Sequence, residues 1–456
     1  MRWLLERGGP IGRFSQSVLL TVPSDAQLMH LTGALQVLLD RHDMLRAAFA
    51  TDGLTVPPVG AVNAAELIVR RDVSDTDDFR SAVAEESERA VALLDPAGGT
   101  MLRAVWFDAG PEHDGRLLIV VHHLVVDGVS WRIILPDLRS AWEAVKGGRK
   151  PELPPVGTSF KRWAGILQEQ AAARGDEAEV WRGMAGAPLG ARPVDPDQDT
   201  AATTRVVRLE FEAGVTGRLI GRAGVQDMLL AGLAAAVGER YGCPEVVVDV
   251  EGHGREEVVP GVELSRTVGW FTSLYPVRKG VSGERSGELP DNGLGYGLLR
   301  YLNPDTADEL AKAPTPAIGF NYLGRFTVPD AESWTFAPES SSLAKGTDPE
   351  LAVAHALEVN AVVRDTDAGP VLVADWSWPE GVLTEPEVRE LAEAWRTEVT
   401  ALASRTDADT NADAGERRSG TTALTSSNRP PTTPDDLDDL ALSDDELAEL
   451  TDGLDD

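Results

Sequence analysis

Runs in which every residue is apolar alternate along this chain with stretches where apolar residues recur every three or four positions. The sharpest junction between the two patterns lies within residues 117–138. Residues 117–121 are apolar throughout, as a strand buried on both faces would be. They run into His122 and His123, then three apolar residues, Asp127-Gly128 and Ser130-Trp131. From there Trp131, Ile134, Leu135, Leu138, Trp142 and Val145 recur at helical spacing, with Ser130 as the expected N-cap. A histidine pair therefore sits where a core strand ends and a loop turns into a helix.

The same patterns predict the other elements. A strand ends at 19–22, and Ser24-Asp25 caps a helix whose Leu28, Leu31, Leu35 and Leu38 form one face. A helix over 79–94, a strand over 102–107 and one helix over 159–181, anchored by Phe160, Trp163, Ile166, Leu167 and Trp181, complete the first half. Residues 195–202 are polar and aperiodic. The second half brings a strand at 206–211, an apolar helix at 226–241 and a β-branched strand at 245–250. Strand-like runs follow at 268–277 and 318–323, then a hairpin of 357–363 with 371–378, then a helix from Thr384 to about Leu402. Alternating strands and helices in two halves predict an α/β fold with two similar lobes. The expected divisions are a first lobe at 1–185, a connection at 186–202, a second lobe at 203–405 and a disordered acidic tail at 406–456. Residues 406–434 are rich in Ser, Thr, Asp, Ala and Pro, and a short amphipathic helix is expected at 444–450.

Composition narrows the class. A chain of 456 residues exceeds one ordinary core, and its 42% apolar and 25% charged content is that of globular domains. The single cysteine, Cys243, excludes an intrachain disulfide and fits a reducing compartment. The first residues carry no hydrophobic core of signal-peptide length. Apolar stretches such as 229–237 fall far short of the ~20 residues of a membrane helix. A soluble, cytoplasmic protein is expected. The net charge of −32 argues against nucleic acid and anionic membrane as partners. Eleven acidic residues lie in 435–456, and without them the charge is still about −21.

Two polar clusters carry the candidate chemistry. The first is His122, His123, Asp127, Gly128, Ser130 and Trp131, in which one imidazole can act while its neighbour and the carboxylate fix geometry and tautomer. A packed histidine pair is the plainer alternative. The second is Glu251-Gly252-His253-Gly254-Arg255-Glu256, at the end of a strand in the other half. Its glycines allow close approach of a ligand or another loop, and a solvated turn is the plainer alternative. Together they suggest two acid/base groups on opposite lobes of a cleft, able to remove a proton from one face of a carbon and return one to the other. A metal site is disfavoured because adjacent strand histidines point to opposite faces. Residues 293–297, GLGYG, lack the strand-to-helix context of a phosphate loop.

These clusters carry a resemblance. HHLVVDGVSWRIILPDL resembles the HHxxxDG core motif of the condensation-domain superfamily of nonribosomal peptide synthetases. EGHGRE resembles the signature of its epimerization branch. Residues 41–49 (RHDMLRAAF) are similar to the early Arg-His motif, and 266–277 (RTVGWFTSLYPV), 290–297 (PDNGLGYG) and 320–325 (FNYLGR) to later epimerization motifs. The similarity runs to about residue 405. Two segments look short beside the family, between Val277 and Pro290 and between Gly214 and Asp227.

The resemblance implies two chloramphenicol-acetyltransferase-like lobes in a V-shaped pseudodimer with a central tunnel. It implies an aminoacyl or peptidyl thioester on the 4'-phosphopantetheine of an upstream carrier protein, inverted at Cα, with no cofactor of the chain's own. It implies His123 and Glu251 as the acid/base pair. Asp127 would be structural, bound to a core arginine for which Arg46 and Arg266 are the candidates. His122, Gly128, Ser130, Trp131, His253, Arg255, Asn321 and Tyr322 would support or line the site, with Tyr322, His253 or backbone N–H groups available to an enolate oxygen. No stretch resembles a carrier or an adenylation region, so the substrate is expected to arrive loaded. The acidic tail is expected either as a solvated linker or as a contact to a downstream condensation domain. An amide-forming condensation domain and a silent carrier-docking module are the alternative readings.

Overall fold

The apolar runs become strands of two separate large sheets, and the helical stripes become the helix faces packed against them. The computed structural model describes residues 1–405 apart from 51, 52, 77, 185, 187, 188, 282–288, 327–333 and 367. The expected linker and helix of the acidic tail, and most of the short segment before Pro290, lie outside the described residues.

In the first half the strands are β1 (Ser15–Val22), β2 (Ala48–Ala50), β3 (Gly53–Thr55), β4 (Ile68–Asp72), β5 (Leu102–Asp108) and β6 (Gly115–His122). The helices are α1 (Arg2–Arg7), α2 (Leu28–Arg41), α3 (Phe79–Ala92), α4 (Gly128–Lys146), α5 (Phe160–Ala173) and α6 (Ala178–Trp181). Four strands form a sheet in the order β1-β6-β5-β4. As its unbroken apolar run predicts, β6 is buried on both faces. Leu117, Ile119 and Val121 join the core against α2 and α4, while Leu118 and Val120 join a second cluster against α3. The second half contains β7 (Thr204–Glu210), β8 (Glu245–Gly252), β9 (Ser273–Gly280), β10 (Ile318–Phe326), β11 (Leu357–Thr366) and β12 (Gly369–Pro379). Its helices are α7 (Ala213–Ile220), α8 (Val225–Tyr241), α9 (Leu294–Tyr301), α10 (Ala307–Leu310) and α11 (Glu385–Ser404). Six strands form a sheet in the order β7-β12-β11-β10-β8-β9. One face, with Val248, Val250, Phe320, Val359 and Trp376, packs on α8 and α11.

Several boundaries differ from the sequence reading, each for a local reason. Helix α4 begins at Gly128 because Asp127, not Ser130, is its N-cap and accepts the Ser130 N–H at 2.8 Å. Ser24 and Asp25 lie outside α2, since the Ser24 N–H is drawn to Asp114. The helix expected over 159–181 breaks after Ala173 into short turns at Gly175–Glu177 and α6. In 268–277 only the part from Ser273 pairs as a strand, because residues 269–271 turn away to hold the histidine loop.

The chain crosses between the sheets twice. Residues 255–271 lie along the first lobe's α4, pinned by Arg255–Asp127 and Arg266–Asp137 ion pairs. Residues 334–346 cover the free edge of β1, with the Trp334 N–H bonded to the Thr21 oxygen at 2.7 Å and the Ala337 N–H to Leu19 at 2.8 Å. An exposed edge strand invites pairing with another chain, and this segment closes it. Contacts of 203–405 are thus shared between both sheets rather than kept to one. Among the described residues no single helix is long and apolar enough to cross a membrane; α7 and α8 reach that length only as a pair bent by 119°.

Candidate active site

The two histidines at the end of β6 have different surroundings. His122 is fully buried. Its Nδ1 accepts the Leu124 N–H at 3.2 Å, so the ring proton sits on Nε2 and is donated to the Ile11 oxygen at 2.7 Å. With both nitrogens used and burial holding its pKa down to about 4, His122 shapes the loop and is not free for chemistry.

His123 begins the next turn, where its N–H bonds the Phe14 oxygen at 2.8 Å. Its Nε2 lies 3.2 Å from the Gln16 amide nitrogen. The orientation of that amide is set from its other end. Trp131 Nε1 can only donate, and it meets Gln16 Oε1 at 2.8 Å. Gln16 therefore presents its NH2 to His123, and His123 Nε2 must be the lone-pair nitrogen. Neutral His123 is thereby fixed as the Nδ1–H tautomer. Burial holds its pKa down to about 4, against the opposing pull of nearby backbone and of Asp127. The ring is sandwiched by Phe14, stacked at 4.9 Å, and Trp270 at 4.6 Å.

Asp127 is a hub. Its carboxylate accepts the Ser130 N–H and O–H, the Phe271 N–H at 3.1 Å and two Arg255 N–H groups at 3.0 and 3.1 Å. The expected partners Arg46 and Arg266 are elsewhere. Arg46 bonds the Leu39 oxygen near the end of α2, and Arg266 bonds Asp137, which also meets His42 at 3.0 Å. Spacing hid this, because Arg255 reaches back from the second lobe over 128 residues. Ser130 accepts the Gly269 N–H at 3.1 Å. At Gly128 no atom lies within 4 Å of where a Cβ would stand, so this half-buried turn borders open space.

Glu251 stands near the end of β8. Side chains alternate across a strand, so Val248 and Val250 face the helices while Asp249 and Glu251 face the other way. The pairing Gly319↔Asp249 and Phe320↔Val250 puts Asn321 of β10 beside Glu251, with Asn360 of β11 and Asp375 of β12 next in the row. This corrects the expectation for Tyr322. It lies one residue on and packs into the apolar core on the opposite face. His253 also leaves the site: it is exposed, its Nδ1 accepts the Arg255 N–H at 3.0 Å and its Nε2 faces Glu256. Both glycines beside it allow close approaches, Gly252 to the Ser273 side chain of its strand partner and Gly254 to the crossing 269–271 turn. A Cβ at Gly254, whose φ is +67°, would stand 1.8 Å from the Phe271 oxygen.

Among the described residues the Glu251 carboxylate accepts no hydrogen bond. Burial, then the charge of Glu358, pushes its pKa up to about 7, with His355 and Arg7 acting the other way. Glu358 and Phe14 line one cavity together with Arg7, Thr347, His355 and Ser377. The ring stacked on His123 and the charge acting on Glu251 thus border the same space. Sequence reasoning missed Gln16, Asp249, His355 and Glu358. The alternation of β8 (EVVVDVEG) held the one local signal, Asp249 and Glu251 at successive positions of one strand face that Glu245 begins.

Two α/β lobes, with a histidine loop locked by a bridging arginine to a carboxylate-bearing strand, place the chain in the chloramphenicol-acetyltransferase-like class. Within that class it belongs to the condensation-domain family, whose model matches residues 12–291. The chain is 34% identical to a linear gramicidin synthase of Brevibacillus parabrevis over 423 residues, 86% of this chain and 5% of that protein. It thus spans a small part of the curated relatives it matches. Among solved structures, the epimerization domain from the third module of tyrocidine synthetase B superposes with a TM-score of 0.75 at 25% identity, covering 88% of this chain and 94% of that one. The X-domain from teicoplanin biosynthesis shares the fold, with a TM-score of 0.63 at 20% identity over 88% and 93% of the two chains.

Proposed function

We propose that this chain epimerizes Cα of an aminoacyl or peptidyl thioester carried on the phosphopantetheine arm of a carrier protein, with His123 and Glu251 as the proton-transfer pair. The observation that carries this reading is Glu251. A half-buried carboxylate with no hydrogen-bond donor among the described residues is costly to a fold and is kept where it does chemistry. Amide formation has no need of such a group in the second lobe. Similarity to an epimerization domain over most of the chain supports the same choice.

The chemistry follows from the groups. A thioester acidifies Cα–H because sulfur conjugates weakly with the carbonyl, and loss of the proton leaves an enolate. With pKa values of about 4 and about 7, the proton that the pair shares rests on Glu251 in the free protein. Once the Gln16 amide gives up the Nε2 lone pair that it holds in the free protein, neutral His123 abstracts a proton through Nε2, and the Glu251 carboxylic acid returns one to the opposite face. Each positioned group is worth roughly 10²–10⁴ in rate. The Asn321 amide, on Glu251's face of the sheet, is the donor placed for the enolate oxygen. Phe14 or Trp270 must swing aside for a substrate to reach His123. The carrier is the partner.

The test is a carrier loaded with a single L-aminoacyl or peptidyl thioester, incubated with the protein in D2O. Deuterium uptake at Cα with loss of chirality is expected. Amide formation with a supplied acceptor, without exchange, makes the chain a condensation catalyst. Inertness in both assays leaves a docking module.

A further inference from the structure

Behind Glu251 lies a polar cluster that the acid/base pair does not use. Gly319 of β10 pairs with Asp249 of β8 on one side and Glu358 of β11 on the other. It is the gap in a row of side chains, and the imidazole of His355 lies over it. A Cβ on Gly319 would stand 2.6 Å from His355 Nδ1. From that position His355 Nε2 meets Asp249 Oδ2 at 3.1 Å, and Nδ1 meets Glu358 Oε1 at 2.8 Å. His355 and Asp249 are each 4% exposed. Ionised carboxylates only accept, so an imidazole between two of them is satisfied when both nitrogens carry protons. The ring is a buried cation. Burial opposes that charge, but the bonds to Asp249 and Glu358 outweigh it and raise the pKa to about 9.

We propose that His355, gripped between Asp249 and Glu358 over Gly319, is a positioning residue that sets the protonation of Glu251. Asp249 is two residues from Glu251 on the same face of β8, and Glu358 stands across Gly319 from Asp249 and lines a cavity with His355 and Arg7. The charged groups acting on Glu251 from the elements around it are Glu358 of β11, His355 just before β11 and Arg7 of α1. His355 and Glu358 pull in opposite directions. The carboxylate of Glu358 favours the protonated form of Glu251, and the imidazolium limits how far this goes. The cluster thus holds a carboxyl that burial alone would neutralise within reach of both protonation states. The proposal rests on Glu251 being one of the two proton-transfer groups.

The opposing signs give the test. The free protein is labelled with 13C at glutamate Cδ, and the Glu251 signal is identified by its loss in E251Q. In H355N the Glu251 midpoint moves up, and in E358Q it moves down, each by about one pH unit. The alkaline limb of the Cα exchange profile moves in the same two directions, with kcat affected more than KM. Midpoints that stay put, or that move the same way in both variants, overturn the proposal, because a merely structural cluster has no reason to give opposite signs. Wild-type protein labelled with 15N-histidine decides independently of whether the variants fold. His355 is expected doubly protonated at pH 7.5, and a neutral His355 there also overturns the proposal. A wild type that fails to exchange Cα–H sinks the epimerization reading and leaves both NMR arms to decide the role of His355.

Discussion

Glu251→Gln separates the two consequences of a carboxyl held near neutrality. Burial, reinforced by Glu358 and opposed by His355 and Arg7, lifts Glu251 from 4.5 to about 7. Its folded pKa exceeds its unfolded one, so the fold favours the protonated form. That contribution is fully present below about pH 4.5 and is lost as the pH rises through about 7. At about 1.4 kcal/mol per pH unit, keeping Glu251 ionised costs the fold about 3 kcal/mol well above neutrality. The side chain is half-buried rather than sealed, so about 2 to 3 kcal/mol is the working range. Glutamine keeps the shape and has no charge to ionise.

E251Q is therefore expected to be more stable than the wild type by about 2 to 3 kcal/mol at pH 8.5, and to lie within about 1 kcal/mol of it at pH 5. Urea unfolding at the two pH values measures this, and taking the change in the difference removes effects common to both proteins. The same variant should lose Cα exchange by at least about 10²-fold. A protein that gains nothing at pH 8.5 would mean that Glu251 bears no desolvation cost. A protein that still exchanges at the wild-type rate would remove Glu251 from the chemistry.

Other perturbations probe the neighbouring parts. The exchange rate (kcat/KM) should peak between the apparent pKa values of the pair, about 4 and about 7, and fall about tenfold per pH unit above the upper one. A flat profile through pH 9 would contradict a shared proton. Gln16→Leu leaves the Trp131 N–H unpaired and His123 Nε2 without its donor, so stability should drop by about 1 to 3 kcal/mol. 15N NMR should then report mixed His123 tautomers, whereas an unchanged Nδ1–H form would show that Gln16 does not select it. Arg255→Ala strands the buried Asp127 carboxylate and should cost about 3 to 5 kcal/mol in a denaturant titration; a loss under 1 kcal/mol would refute the clamp. His253→Ala is expected to change exchange less than about twofold, because the ring faces solvent.

What the sequence discloses depends on the range over which each residue's partner lies. The apolar run before His122 is a strand buried on both faces, as its pattern says. Helix α11 starts at Thr384, where Thr384 and Glu387 form a capping box within four residues. A local signal misleads at Ser130, since Asp127 stands three residues earlier and its carboxylate has the better reach to the first turn. The partner of Asp127 was not legible, because Arg46, Arg255 and Arg266 all lie far from it along the chain and only the path of residues 255–271 along α4 chooses Arg255. Tyr322 and Asn321 sit side by side in one motif, yet strand alternation sends one to the core and the other to Glu251's face of the sheet. His355 lies in no such motif, and its meaning depends on a three-strand register that spacing does not contain.

That register also explains why one strand tolerates two acidic residues in a buried sheet. Asp249 and Glu251 share a face of β8 and differ in compensation. Asp249 faces an imidazole at 3.1 Å, so its charge is balanced where it is most buried. Glu251 has the same cation nearby but no donor among the described residues, and its charge is left partly unsatisfied. A sheet selected only for stability would pair both carboxylates or replace them with valines like those at 246–248 and 250. Pairing the first and leaving the second strained holds the residue at position 251 close to its point of ionisation. Gly319 makes this arrangement possible, because any side chain there would push His355 off the row and leave Asp249 as unpaired as Glu251.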